Sequence, residues 1–414
     1  MLFSEFNFSS QIEKSIKESG YIEATQIQER VIPLILDKKD VMAKAQTGSG
    51  KTASFVLPLL TLLSKNKNDN KAKIKILILT PTRELTLQVA NSFNIFSKYL
   101  DKKVRVVSVI GGESIGDQLL QIQKGCDIVV ATPGRLIDII NKKQIDFKSL
   151  EFFVLDEADK MLNLGFDEEL DSILEKIPKN RQNLLFSATY PEKILSIASK
   201  ISKNPIEVSI EFDEQIVENI EQRAIKVNME NRSSLLRYLI KSMKLEKVLV
   251  FMANKRASDN IASKFRKYGF KADSFHGDLE QDERNYTLNE FKNKKIDILF
   301  STDIAARGLD IDDITCVVNF DLPRSPSDYV HRIGRTGRAG KSGIAISFIT
   351  YENSEHFSLI EKRCDIKLER EEISGFELIG IAPKKEKGKE PIKGKRKSKK
   401  DKLREQALKE KKDS

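Results

Sequence analysis

At 414 residues, with 40% hydrophobic and 32% charged side chains, the chain is long enough for two or three domains and has the composition of a soluble globular protein. Its net charge of +10 is unevenly placed: residues 384–414 carry 15 Lys+Arg against 6 Asp+Glu, which leaves a near-neutral 56 against 55 for residues 1–383. Three scattered cysteines offer neither a disulfide framework nor a zinc cluster, and with no signal peptide or apolar span of about 18 residues in view the expectation is a cytoplasmic protein without a membrane anchor.

In chain order, the first stretch with evident chemistry is AQTGSGKT, residues 45–52. It carries the G-K-T ending of a phosphate-binding loop and departs from the usual G-x-x-x-x-G-K-[ST] by Ala45 at its first position. Ala45, Gln46, Thr47, Gly48, Ser49 and Gly50 form the turn, with the two glycines letting backbone N–H groups curl around phosphate oxygens. Lys51 reaches the outer phosphates and the Thr52 hydroxyl suits Mg²⁺; the apolar ASFVLPLL that follows fits the helix such a loop opens. The alternative is a glycine-rich surface turn.

Short apolar runs then recur: KILILTP, DIVVATP, FFVLDEAD and NLLFSAT, followed later by KVLVFMANK, DILFSTD, CVVNFD and GIAISFIT. Unbroken β-branched runs predict parallel strands buried on both faces, and amphipathic stretches such as PEKILSIASKIS and RASDNIASKFRKYG predict helices between them. The pattern repeats. KILILTPTRE from Lys75 matches KVLVFMANKR from Lys247, 172 residues on, and DIVVATPG from Asp127 matches DILFSTDI from Asp297, 170 residues on. Two copies of one parallel α/β fold are expected, with the acidic segment 204–222 between them.

In FFVLDEAD a buried strand runs straight into acids, at the carboxyl end where α/β sheets place ligand chemistry. Asp156 is expected to hold Mg²⁺ through water and Glu157 to orient or deprotonate the attacking water, while Asp159 on its own reads equally as an acid at a helix start. The second copy has no phosphate loop of its own, but YVHRIGRTGRAG sets Arg332, Arg335 and Arg338 three residues apart. If the copies close face to face, Arg335 and Arg338 can meet a γ-phosphate held by Lys51; a solvated basic turn is the plainer reading of the triplet.

Taken together and in this order, AQTGSGKT, PTREL (81–85), TPGR (132–135), DEAD (156–159), SAT (187–189), STDIAARGLD (301–310) and HRIGRTGR (331–338) resemble a DEAD-box ATP-dependent RNA helicase over about residues 3–370. Short flanks and a Lys-rich tail make the chain most similar to bacterial RhlE-type members. The resemblance implies two tandem RecA-like parallel-sheet domains joined by a short linker: 1–207 (adenine-reading segment 1–29), linker 208–219, 220–374, and a disordered basic tail 375–414. It implies that Gln28 of GYIEATQIQ bonds the adenine edge and that Phe3, seventeen residues before Gly20, stacks on its face, with Ala24 where the family usually has proline. It gives Arg335 and Arg338 the role of arginine fingers, Asp310 a ribose contact, and Ser187, Thr189 and His331 the coupling of the site to domain closure. Pro81, Thr82, Arg83, Gly111, Gly112, Thr132, Pro133, Gly134, Arg135 and Thr302 are the implied RNA grip, made to the backbone and blind to base identity.

The implied activity is ATP hydrolysis with Mg²⁺, stimulated by RNA and coupled to bending and local unwinding of short duplexes or remodelling of RNA–protein complexes. A DNA translocase on the same twin scaffold and a non-catalytic RNA clamp are the rivals. The basic tail adds a salt-sensitive hold on RNA. Ribosome assembly and RNA decay are the processes such a protein serves by analogy, and no oligomer is required.

Overall fold

The computed structural model describes residues 1–45, 49–65, 72–202, 204–210, 220–306, 311, 314–337 and 342–380, apart from the side chains of Ile304 and Ser327. Runs too apolar to face water on either side become strands buried on both faces. In the first half these are β1 (Val41–Lys44), β2 (Ile76–Leu79), β3 (Val106–Val109), β4 (Ile128–Ala131), β5 (Phe152–Leu155), β6 (Gln182–Ser187) and β7 (Ile206–Ser209). In the second they are β8 (Ile220–Lys226), β9 (Val248–Met252), β10 (Ala272–Phe275), β11 (Ile298–Thr302), β12 (Cys316–Asn319), β13 (Gly343–Ile349) and β14 (Arg370–Glu371).

Among the described residues these make two seven-stranded parallel sheets, ordered β3-β4-β2-β5-β6-β1-β7 and β10-β11-β9-β12-β13-β8-β14. Adding seven to each strand number of the first order produces the second. The matched segments of the sequence therefore hold the same places: β2 corresponds to β9 and β4 to β11. The expected twin α/β architecture is what the chain adopts.

Alternation along each strand splits the core into layers. Ile76 and Ile78 join Val31, Phe55 and Phe93 on one face of the first sheet, whereas Leu77 and Leu79 join Leu136, Met161 and Ile194 on the other. The second sheet repeats this, with Val248 and Val250 against Leu236 and Phe265, and Leu249 and Phe251 against Phe275 and Phe291. Each such fully buried aliphatic or aromatic side chain stabilises by about 1.5–3 kcal/mol. The expected helices form at Glu192–Ile201 and Lys255–Lys267; the second is started by Asn254, whose Oδ1 accepts the Ala257 N–H at 2.9 Å.

Two expected boundaries move. The acidic segment does not begin the linker at 208, because Val208 and Ser209 belong to β7, paired in register with Ala43 and Lys44 of β1. Residues 211–219 of the linker lie outside the described residues, and β8 starts at Ile220. The second domain also continues past 374. Phe376 packs at 5.5 Å from the Tyr238 ring, and the Asn228 amide both accepts the Ile379 N–H and donates to its carbonyl at 2.8 Å. An aromatic anchor and a two-point amide clamp are enough to hold a segment that composition alone assigned to the tail; residues 381–414 lie outside the described residues.

Candidate functional site at the cleft between the sheets

Strand β1 delivers the chain to Ala45, and the helix Lys51–Lys65 leaves from the other side of the turn. Gln46, Thr47 and Gly48 lie outside the described residues. Gly50 is required as glycine on two counts: its φ is +89°, and a Cβ there would fall 2.5 Å from Gln28 Nε2. Gln28 braces this turn. Its Nε2 donates to the Gly50 carbonyl at 3.1 Å, and its Oε1 accepts the Thr25 N–H at 2.8 Å. Thr25 Oγ1 donates to the Ser49 carbonyl at 2.7 Å. Lys51 is buried, and its ammonium folds back to donate to the Ala45 carbonyl at 2.9 Å. Thr52 follows on the first turn of the helix, half-buried.

Phe3 does not offer the open ring expected of a stacking partner. It is 4% exposed, with Phe6 and Tyr21 at centroid distances of 5.9 and 5.6 Å, so in this structure it is a core anchor. Ala24 is better suited here than proline would be. Its N–H donates to the Met1 carbonyl at 2.9 Å beside a Leu2–Glu23 antiparallel bridge, a bond that proline has no hydrogen to make.

At the carboxyl end of β5 the chain turns sharply. Glu157 sits in the left-handed region, φ 51° and ψ 48°, and caps the short helix Ala158–Asn163. A non-glycine residue held there is strained by about 1–3 kcal/mol, a cost met most often at functional sites. Asp156 is 2% exposed, and its Oδ1 accepts the Glu157 N–H at 2.9 Å. Burial pushes the Asp156 carboxyl above its ordinary range; nearby Lys51 opposes this without cancelling it. Burial would raise Glu157 as well, but Lys160 and Lys51 more than compensate and hold it low. Asp159 is more than a helix-start acid: its N–H donates to Ser187 Oγ at 3.2 Å and its Oδ2 accepts from Thr189 Oγ1 at 3.1 Å. Ser187 Oγ in turn donates to the Thr189 carbonyl at 2.7 Å, which ties the SAT segment to the acidic turn.

From the second domain, His331 and Arg335 face these groups. Arg335 is 6% exposed, and its charge is felt by Glu157, Lys160 and His331. Burial, helped by the Lys160 and Arg335 cations, pushes His331 down to about 3, so its ring is neutral at neutral pH. Arg332 and Arg335 separate in role. Arg332 turns inward, gripping Asp303 with Nε and Nη2 at 2.6 and 2.7 Å and donating to Asn319 Oδ1 at 3.0 Å, so its anion is an internal carboxylate. Arg338 and Asp310 lie outside the described residues.

The implied RNA-grip residues gather at the carboxyl edges of the strands. Thr82 follows β2 and accepts the Leu85 N–H at 3.3 Å; Thr132 follows β4, with Pro133 opening the next helix. Arg135 donates to the Glu113 carbonyl at 2.9 Å, and Thr302 ends β11. Gly134 has open space where a Cβ would stand. The space over Gly111 and Gly112 is taken by the Arg83 guanidinium: a Cβ on Gly112 would come 2.3 Å from Nη1, and φ there is +84°.

Sequence reading missed the contact that joins the two domains on this edge. Arg284, one turn after Gln281 on the helix Gln281–Lys292, donates from Nε to Glu84 Oε1 at 2.7 Å and lies over the Phe275 ring. Arg83 Nη1 donates to Gln281 Oε1 at 3.3 Å. The available signal was a Gln and an Arg on one helical face. Nothing local says that such a face is buried against another domain.

A family profile described as "DEAD/DEAH box helicase" matches residues 25–197, and one described as "Helicase conserved C-terminal domain" matches residues 231–340. A Bacillus licheniformis protein named DEAD-box ATP-dependent RNA helicase CshA is 42% identical over 368 residues, covering 89% of this chain and 74% of that one. A solved DEAD box protein from the hyperthermophile Methanococcus jannaschii is 41% identical over 90% of this chain and 99% of its own, with a TM-score of 0.53. A solved Saccharomyces cerevisiae Dbp5 bound to RNA and ADP BeF3 is 30% identical over 90% and 95%, with a TM-score of 0.81.

Proposed function

The chain belongs to the DEAD-box family of ATP-dependent RNA helicases, and from that premise we propose how its residues divide the work. The observation that carries the reading is one cleft in which the charges of Lys51, Glu157 and Lys160 of the first domain and Arg335 of the second all act on the buried His331, and Arg335 acts across the domains on Glu157. Its overall likeness to the RNA- and ADP BeF3-bound Dbp5 supports taking this arrangement as the closed, working one.

We assign the phosphates to the loop Ala45, Gln46, Thr47, Gly48, Ser49, Gly50 and to Lys51, whose Nζ exchanges the Ala45 carbonyl for phosphate oxygen. Gln28 reads the adenine edge while bracing Gly50, Phe3 supports that segment from within the core, and Asp310 takes the ribose. Glu157 accepts a proton from the attacking water. Arg335 and Arg338 reach the terminal phosphate only when the domains are closed, and Ser187, Thr189 and His331 carry closure to the acidic turn.

The residues fit Mg²⁺ brought in with the nucleotide. Asp156 is a buried carboxylate whose burial is only partly offset by Lys51, and the Thr52 hydroxyl stands at the helix start. No cluster of three or more His, Cys, Asp or Glu side chains among the described residues is placed to hold a metal, so most donors would come from phosphate and water. Bound there, the cation would neutralise phosphate charge; Asp156 and Thr52 would hold it.

RNA is gripped along its backbone by Pro81, Thr82, Arg83, Gly111, Gly112, Thr132, Pro133, Gly134, Arg135 and Thr302. We take the first domain to run through β7, the second to run from β8 to at least 380, and the basic residues beyond to tether RNA. The RhlE-type placement rests on flanks and tail alone, whereas the relative described above carries the name CshA. No helix among the described residues is long and apolar enough to cross a membrane. We place the protein in the cytoplasm, in ribosome assembly or RNA decay, acting without obligatory oligomerisation.

The deciding experiment measures ATP turnover alone, with single-stranded RNA and with single-stranded DNA. Stimulation by RNA is expected. Stimulation by DNA alone supports the translocase, and tight RNA binding with no turnover supports the clamp.

The interdomain pair makes a separate prediction. Arg284→Met leaves Glu84 buried and unpaired, a loss of about 3–5 kcal/mol in the closed arrangement. RNA affinity measured with a non-hydrolysable ATP analogue should therefore weaken at least ~100-fold, with ATP binding to the first domain little changed. Unchanged RNA affinity would mean that the pair is not made in the working state.

A further inference from the structure

Lys160 belongs to none of the motifs assigned above, yet it is bonded to the proposed base. It stands one helical turn after Glu157, and its ammonium donates to Glu157 Oε1 at 2.6 Å. Both side chains are almost fully enclosed, 3% exposed for Lys160 and 6% for Glu157. The other carboxylate oxygen, Glu157 Oε2, is buried and has no hydrogen-bond partner among the described residues. Lys160, Lys51 and Arg335 all act on Glu157 through space, Lys160 most strongly, and Lys160 also gives it a directed hydrogen bond.

We propose that Lys160 is a positioning residue for hydrolysis: by anchoring Oε1 of Glu157 it holds the carboxylate so that the unpartnered Oε2 faces the attacking water. A glutamate has three side-chain torsions. The left-handed backbone at Glu157 sets the first direction of its side chain, and the Lys160 bond removes the freedom that remains. The Lys160 backbone is fixed by its N–H, which donates to the Glu157 carbonyl at 2.9 Å and to Asp159 Oδ1 at 3.1 Å, and burial confines its side chain. Such preorganisation matters because a displacement of about 1 Å in a reacting group can cost about 10²-fold in rate. This role rests on Glu157 acting as the base, as proposed above.

The test compares Lys160→Met, which keeps the length of the apolar stem, with Lys160→Arg, which keeps a donor. In RNA-stimulated turnover Lys160→Met should lose about 30–100-fold in kcat, with KM for ATP and RNA affinity within about 3-fold of wild type. Lys160→Arg should recover most of the loss. A cycle with Glu157→Gln, followed by single turnover, identifies the route: if Lys160 acts through Glu157, adding Lys160→Met to the Glu157→Gln variant costs less than about 3-fold. Unchanged kcat in Lys160→Met, an equal loss in both backgrounds, or losses in KM and RNA affinity matching that in kcat would each overturn the proposal while leaving the helicase reading intact. A wild-type chain without RNA-stimulated turnover would overturn both. Should Lys160→Met unfold, Lys160→Gln, whose amide is one atom short of the ammonium's reach, takes its place: full kcat in that folded variant overturns the proposal, and a loss confined to kcat that Lys160→Arg does not share supports it.

Discussion

Arg335→Ala is expected to lower RNA-stimulated ATP turnover by about 10³–10⁵-fold, or about 4–7 kcal/mol of barrier. The reason is where the side chain is held. Arg335 follows the helix Pro326–Ile333, is nearly enclosed, and already acts on Glu157 and Lys160 across the cleft. A guanidinium there meets charge that grows on the terminal phosphate as the bond breaks, and water is largely excluded, so its interaction is poorly screened. Lysine should not rescue it, because a single ammonium lacks the planar fork that bonds two phosphate oxygens at once. The measurement is kcat with saturating single-stranded RNA, beside binding of a non-hydrolysable ATP analogue, which should stay within about 10-fold of wild type. Turnover within ~3-fold of wild type would mean that the second domain does not sense the nucleotide through this residue.

Glu157→Gln should stop hydrolysis and preserve binding. General-base catalysis contributes about 10²–10⁴-fold, and the amide removes that function while keeping shape and volume. The substituted amide retains an oxygen for Lys160, so the pocket should not collapse around an unpaired ammonium. ATP and RNA should therefore accumulate together on the closed variant, with RNA released far more slowly than from wild type. Normal turnover would remove Glu157 from its role, and loss of RNA binding together with turnover would recast it as structural.

The two variants report on different halves of one device. Arg335 acts on Glu157 and Arg284 bonds Glu84 across the two domains, and in the proposed mechanism these interactions make hydrolysis conditional on closure. The acidic turn is complete within the first domain. Asp159 joins that turn to Ser187 and Thr189, and the neutral His331 feels the same group of charges; these are the contacts we propose to couple closure to the turn.

The sequence by itself determined the twin-sheet architecture and the place of the acids at the carboxyl end of β5, because each depends on local spacing. An apolar run of four to seven residues buries on both faces wherever it falls, and repeats offset by 172 and 170 residues land on equivalent strands of two identical orders. Gly50 was legible as a glycine of a tight turn, whereas the left-handed backbone at Glu157 had no signal in the sequence. Direction and partnership were decided only in the tertiary structure. Arg332, in the last turn of the helix Pro326–Ile333, and Arg335, just past it, are three residues apart, yet one grips Asp303 inside its own domain and the other acts on Glu157 across the cleft. Phe3 packs away from an open face, Gly111 and Gly112 make room for Arg83, Ala24 spends an N–H that proline lacks, and Phe376 extends the second domain beyond its expected end. In each case the partner comes from far along the chain, or from the other domain, and its position depends on how whole sheets and helices pack. A side chain's type limits which partners suit it, but only the packed fold brings one within hydrogen-bond reach.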